Sequence, residues 1–303
     1  MIGSFPRKQD KEGSAPAARR QPWHLMAGVA LVAIAWPLAW FGPAPFSEYT
    51  FFPLWLGYIL TIDGLTALRT GTSLLTRARR RFALLFVFSL PLWWLFEFAN
   101  HFLGNWRYVQ ATHYSTVVYV ALASLAFSTV MPAIFVTAEL YRSFGCFGAA
   151  RNWIRIAPSR PGLIVIAALG LAMFVASLVF PHVAFPLVWI GVFLLLDPLN
   201  ALTGGGSITA QVAVGRWDTV LVLFAAGLTC GFFWEMWNVW SLPKWVYDVP
   251  YVGQPKLFEM PLLGYGGYLP FALEIYAFYQ LLHTLIFRRR DRFLRFDQLS
   301  ERK

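Results

Sequence analysis

The chain has 303 residues, of which 58% are hydrophobic and 13% charged, with a mean hydropathy of +0.54. Soluble domains carry roughly a quarter charged residues, so this composition excludes a soluble globule. A net charge of +10 would suit nucleic acid, but its distribution, taken up below, assigns it to membrane topology and makes nucleic acid an unexpected partner.

Residues 1–22 are charged and rich in Gly, Ser, Ala and Pro, the composition of a disordered N-terminus. The apolar run that follows has a long polar lead and no small-x-small cleavage site, so it reads as a helix that stays rather than a signal peptide. Crossing a hydrocarbon core takes about 20 helical residues. Eight stretches meet that length: 25–41, 51–68, 82–102, 115–140, 163–180, 183–202, 218–240 and 265–287. An even number of spans puts both termini on one side. That side then holds 22 of the 25 Lys and Arg, against Arg107, Lys244 and Lys256 on the other. By the positive-inside rule both termini are cytoplasmic, and a cell (inner) membrane is the expected location.

The polar residues inside these spans repeat. Residues 55–73 (WLGYILTIDGLTALRTGTS) align without gaps on 189–207 (WIGVFLLLDPLNALTGGGS), with nine of nineteen positions identical, among them Asp63/Asp197 and Ser73/Ser207. Further on, FEFANHF (96–102) aligns on WEMWNVW (234–240), pairing Glu97 with Glu235 and Asn100 with Asn238. After one inserted residue, Trp106 and Tyr108 meet Trp245 and Tyr247. Pro132/Pro270 and Tyr141/Tyr279 register weakly, and the first and fifth helices show no match. Apolar matches between membrane helices are cheap, whereas a carboxylate costs about 2.5–3.5 kcal/mol at a helix centre. The expected fold is an all-α polytopic membrane protein of eight transmembrane helices, arranged as two parallel four-helix repeats. These are residues 23–146 and 161–287, joined by a cytoplasmic linker at 147–160 and followed by a basic cytoplasmic tail at 288–303. With four spans each, the repeats relate by an axis along the membrane normal.

Glu97, Asn100 and His101 share a helix face by their i, i+3, i+4 spacing, and Glu235 with Asn238 repeats it. Two carboxyls facing one cavity between the units would place a proton donor beside an acceptor, the need of acid–base chemistry. Glu274 aligns with Val136 and so stands outside the repeat, as a specialised residue would. Glu97, Glu235 and Glu274 are thus the catalytic candidates. Asn100, Asn238, His101, Trp94, Trp237 and Tyr247 are the candidates for holding substrate, with Trp93 and Trp234 beside them as walls for a prenyl or polyene chain. The bland alternatives are carboxylates bonded to Asn and Trp that merely hold the bundle, aromatic packing, and an interfacial His101. Asp63 and Asp197 form an inner polar pair near the ends of their helices, where closing a turn is the favoured role.

Cys146 and Cys230 fall at different depths, the five histidines lack HxxxH or HxxH spacing, and the loops RTGTS and TGGGS have neither Walker nor GxGxxG spacing. No metal set or cofactor follows from these patterns. Membrane lipids are the expected surroundings, and a lipid or isoprenoid the expected substrate. The leading expectation is an intramembrane acid–base enzyme or binder. The alternatives are a proton-coupled transporter gated by Asp63 and Asp197, and a membrane assembly or scaffold protein. The lycopene cyclases, membrane enzymes with paired carboxylates, offer an analogy of design only, because the chain lacks their proline-x-glutamate-glutamate pattern. It also lacks the aspartate-rich motifs of membrane prenyltransferases.

Overall fold

The computed structural model describes residues 21–110, 114–288, 291 and 293–296. The disorder expected of residues 1–22 therefore falls, for 1–20, outside the described residues, as does part of the basic tail. Eight helices are long and apolar enough to cross a membrane: Trp23–Phe41, Phe51–Thr70, Arg79–Leu103, Thr116–Phe144, Arg160–Val179, Pro181–Thr203, Asp218–Asn238 and Leu262–Phe287, numbered here as spans 1 to 8. The chain is an integral, multi-pass membrane protein. Its spans alternate between a terminal face, where the first begins and the last ends, and a far face.

Burial orders the spans. Over half of spans 7 and 8 is buried, against 28% of span 1 and 22% of span 5, so the former are central and the latter peripheral. Lipid tails are as apolar as leucine, so helices associate through close packing rather than hydrophobic exclusion. Span 1 crosses span 2 at Gly28 and Gly57, and a Cβ on Gly28 would lie 2.5 Å from the Thr61 nitrogen. Span 5 crosses span 6 at Gly170 and Gly191 in the same way, with a Cβ on Gly170 meeting the Leu195 nitrogen at 2.4 Å. The first and fifth helices thus contribute corresponding glycines that the sequence comparison did not pair.

Three spans are interrupted, span 6 opening as Pro181–Ala184 and a 3-10 turn, Phe185–Leu187, before its α-helix Val188–Thr203. Span 4 is α-helical over Thr116–Phe127 and again over Val130–Phe144. The Ser89 hydroxyl enters the gap, donating to the Phe127 carbonyl at 2.6 Å and accepting from the Met131 N–H at 3.1 Å. Freed backbone groups at this depth need such partners, because the bilayer core has no water to supply them. Span 8 opens as a 3-10 turn, Leu262–Gly267, before its α-helix Tyr268–Phe287. In spans 4 and 8 the third residue of the second segment is a proline, Pro132 or Pro270. There its missing N–H breaks no intrahelical bond.

On the far face, strand β1 (Trp106–Val109) pairs antiparallel with β2 (Lys244–Tyr247), tying the segment after span 3 to the segment after span 7. Trp106 stands opposite Tyr247, and Tyr108 opposite Trp245. On the terminal face the tail turns back into the bundle. Phe293, Leu294 and Phe296 are buried. Arg77 donates to the Phe293 carbonyl at 2.5 Å, Arg142 to the Arg295 carbonyl at 2.6 Å, and Thr219 to the Phe296 carbonyl at 3.0 Å. The described part of the expected basic tail is thus a docked segment, held by burial of its apolar residues and by these bonds to its carbonyls.

Candidate functional site

Glu97 lies two turns from the end of span 3, and its Oε1 accepts three hydrogen bonds. They come from Trp93 Nε1 at 3.0 Å, Trp106 Nε1 at 3.3 Å and the Tyr108 hydroxyl at 2.5 Å. Glu235, on span 7, is built alike. Its Oε1 accepts from the Tyr268 hydroxyl at 2.7 Å, the Tyr247 hydroxyl at 2.8 Å and Trp245 Nε1 at 3.4 Å. Its Oε2 is buried and has no partner among the described residues.

The local sequence explains both constructions. Glu-x-x-Asn places the two polar groups on one helix face, and Trp-x-Tyr places two donors on one side of a strand. The asparagine then fixes the strand against the helix. Asn100 Nδ2 donates to the Trp106 carbonyl at 2.8 Å, and its Oδ1 accepts the Trp106 N–H at 3.2 Å. Asn238 does the same to Trp245, at 2.7 and 2.9 Å. Asn100 and Asn238 are therefore satisfied by backbone. Burial, and next the neighbouring carboxylate, push the hydroxyls of Tyr108 and Tyr247 well above the usual tyrosine range, so both stay protonated donors.

A largely apolar cavity of about 590 Å³ opens at the far face, in the size range of small-molecule sites. Its wall includes Trp93, Trp106 and Tyr108, then Trp234, Trp245, Tyr247 and Tyr268, and also Trp189 and Phe271. Glu97 and Glu235 are not in the wall. They sit behind it, reached through the tyrosines and tryptophans that bond them. The carboxylate that does line the cavity is Glu48, on the short 3-10 turn Phe46–Tyr49, which accepts a hydrogen bond from the Tyr114 hydroxyl. Glu48 lies in a loop with no repeat partner, and nothing in its spacing distinguishes it from a solvated loop acid.

The remaining candidates lie elsewhere. Trp94 gives its Nε1 to Ser124 at 3.1 Å and packs on Phe127. Trp237 packs among Trp36, Trp55 and Phe233. His101 is exposed beside Phe102. None of the three lines the cavity, whereas their neighbours Trp93 and Trp234 do. Glu274 is fully buried on span 8, one turn beyond Pro270 and Phe271 of the cavity wall. The Phe193 backbone of span 6 lies beside it, yet neither oxygen finds a hydrogen-bond partner of normal geometry among the described residues.

Asp63 and Asp197 each bind the loop that follows their own helix. Asp63 accepts from the Ser73 hydroxyl at 2.6 Å and the Leu75 N–H at 3.2 Å, and lies 3.1 Å from His24 Nε2. Asp197 accepts from the N–H groups of Ile208 and Thr209 at 2.7 and 2.8 Å, and from the hydroxyls of Thr209 and Ser207 at 2.6 and 3.3 Å. Ser73 and Ser207 cap the short helices Leu74–Arg77 and Ile208–Ala213. In this geometry each carboxylate ties its helix end to the loop that follows it.

In comparisons with known proteins, no family model, curated protein or solved structure matches this chain. Fold and site together define a multi-pass membrane protein with an aromatic-walled cavity backed by two carboxylates.

Proposed function

We propose that the protein binds a lipid or isoprenoid in the far-face cavity and performs acid–base chemistry on it. The observation that carries this reading is that Tyr108, Tyr247 and Tyr268 each line the cavity and also bond a carboxylate behind its wall. Such a hydroxyl can pass a proton. A ligand proton moves to the Tyr268 oxygen as the Tyr268 proton moves to Glu235 Oε1, and the reverse shift returns it. The step is balanced and needs no cofactor. Glu274 is the third carboxyl assigned to proton transfer, because it is fully buried one turn below the cavity wall with only the Phe193 backbone beside it.

The same proposal takes the terminal face as cytoplasmic, in a cell (inner) membrane, and the two halves as parallel repeats. Supporting the repeats are the matched Glu–Asn–Trp–Tyr and Asp–Ser sets and the ribbon's register. Two equivalent strands meeting at a two-fold axis pair antiparallel, each Trp opposite the other's Tyr, as β1 and β2 do. Labelling of single cysteines in sealed cells tests the orientation. Position 256 should react and position 80 should not, and a reactive position 80 reverses it.

A transporter is the second reading, favoured by the interruptions of spans 4 and 8. Phe127 and Val130 of span 4, and Gly266 and Gly267 of span 8, border the breaks and line the cavity. Discontinuous helices at a central site are a transporter device. One experiment separates the readings: lipid profiles and solute uptake of cells with and without the protein. A lipid species made or consumed only by the wild type, and not by Glu235→Gln, supports the enzyme. Unchanged lipids with proton-dependent accumulation of an unmodified solute replace it with the transporter.

A further inference from the structure

One part of the cavity wall has lipid on its other side. The outer half of span 4, Thr116–Phe127, presents Tyr119, Leu122, Ala123 and Ala126 to the cavity, the i, i+3, i+4, i+7 spacing of one helix face. Val117, Val118, Val120 and Ala121 lie outside that wall and are exposed, Val117 by 79%. Exposed within a membrane span, they meet lipid, so a single helix separates the cavity from the bilayer here. Of its twelve residues only Phe127 is buried. The inner half is the contrary case, with every residue from Val130 to Ala138 buried.

The halves meet at the break, where the Ser89 hydroxyl bridges the Phe127 carbonyl and the Met131 N–H. A break already supplied with a hydroxyl partner can absorb a change of angle without stranding backbone groups. Beyond it the outer half is lightly held. Tyr114, ahead of its first turn, bonds Glu48. Further along, Ser124 accepts from Trp94 Nε1 of span 3 at 3.1 Å, and Phe127 packs on Trp93 and Trp94. Segments with few buried contacts open at the lowest free energy. An apolar chain that crosses here passes from bilayer to cavity without meeting water. The far-face opening would instead expose each CH₂ to water on the way.

We propose that the outer half of span 4 is a lateral gate, hinged at Ser128 and Thr129 and latched by Trp94, through which an amphiphile dissolved in the bilayer enters the cavity. This rests on the reading of the cavity as a lipid-binding site and adds the source of the ligand, which is the far-face leaflet and not water. It also gives a role to Trp94, which lies outside the cavity wall.

A reagent confined to the bilayer tests the route: a phosphatidylcholine with a maleimide at the end of one acyl chain, in phosphatidylcholine vesicles holding the full-length protein. Ala126→Cys puts a thiol on the cavity face, and Leu169→Cys, at mid-span and 54% exposed on span 5, puts one in lipid. Both are made in a Cys146→Ser background, which alone sets the blank because Cys230 is buried. Intact mass should show the phospholipid on Leu169→Cys and on Ala126→Cys. Ala123→Cys, on the same face, serves if Ala126→Cys does not fold. Adding Trp94→Phe should speed cavity-face labelling about threefold, the worth of one hydrogen bond within a membrane protein. An unchanged rate would overturn the gate. A sulfonated maleimide, unable to enter the bilayer and present on both faces, gives the contrast. If it labels the cavity-face thiol and the phospholipid labels only Leu169→Cys, ligand enters from water; the lateral route falls and the cavity reading stands. If neither reagent labels the cavity-face thiol in folded protein, no ligand reaches the cavity and both fall.

Discussion

Replacing Glu235 separates what its carboxylate holds from what it transfers. All three of its hydrogen bonds fall on Oε1, while the buried Oε2 has no partner among the described residues. Glu235→Ala therefore strands three donors. A stranded buried donor costs about 1–3 kcal/mol, but polar interactions within membrane proteins average nearer 0.6 kcal/mol, because the unfolded chain in the bilayer also finds partners. The Trp245 contact, at 3.4 Å, is the weakest of the three. The expected loss is about 2–5 kcal/mol. Glu235→Gln keeps a carbonyl oxygen at the Oε1 position and puts its amide where Oε2 has no partner. It forfeits the charge assistance and adds one unpaired donor group, about 1 kcal/mol. Thermal unfolding in mild detergent should place Gln close to the wild type and Ala well below it, with the lipid conversion absent from both. Ala melting with the wild type, or Gln melting with Ala, would refute the three-bond account. A fully active Gln variant would refute proton transfer through Glu235.

Four further outcomes follow from the same geometry. Asn100→Ala and Asn238→Ala each remove two bonds to the ribbon backbone, so amide exchange should accelerate in both β1 and β2 for either variant; unchanged exchange in the partner strand would show that the ribbon is not a shared strap. Asp197 accepts four hydrogen bonds where Asp63 accepts two, so Asp197→Ala should lower the melting temperature more than Asp63→Ala, and equal shifts would count against turn closure as their role. Phe293→Ala and Phe296→Ala should each cost about 3 kcal/mol, the usual loss for a buried Phe, and a melting temperature insensitive to both would mean the tail is not docked. The raised Tyr108 and Tyr247 hydroxyls hold their protons in the folded state while unfolded tyrosines lose theirs near pH 10, so stability should fall as pH rises past about 10. In Tyr108→Phe/Tyr247→Phe that alkaline decline should shrink.

The spans were legible because their signal is local: length and apolarity suffice, and the helices end within a few residues of the expected limits. The polar pairs were legible because carboxylates are rare in such segments and these recur. What escaped has a non-local cause. Strands β1 and β2 are four residues each, more than 130 apart in sequence, and too short for alternation to register. Their Trp-x-Tyr pattern was visible, but reads as an interfacial belt until a partner strand is known. The break at Ser128 and Thr129 depends on Ser89 from another helix. The docked Phe293–Phe296 segment hides inside a basic run that reads as a topological signal, and Glu48 acquires its burial only from the segments folded over it.

The two halves differ in one detail that decides where the proposed chemistry falls. Both glutamates take a Trp and a Tyr from the ribbon. The third donor to Glu97 is Trp93, four residues back on its own helix, whereas the third donor to Glu235 is Tyr268 from span 8. An indole N–H can only donate, so it anchors a carboxylate without relaying a proton. A phenol can give a proton on one side and accept one on the other. Glu97 has one relay hydroxyl, Tyr108, and Glu235 has two, Tyr247 from β2 and Tyr268 from span 8, both of residues in the cavity wall. Tyr268 also begins the helix that carries Glu274, which aligns on Val136 in the sequence. On the proposed function, the hydroxyls and carboxyl that would move protons lie mostly in the second half. Tyr268→Phe, which deletes one of the two relays and spares Glu235 its other two donors, should slow the chemistry at least cost to the fold, and adding Tyr247→Phe should silence it.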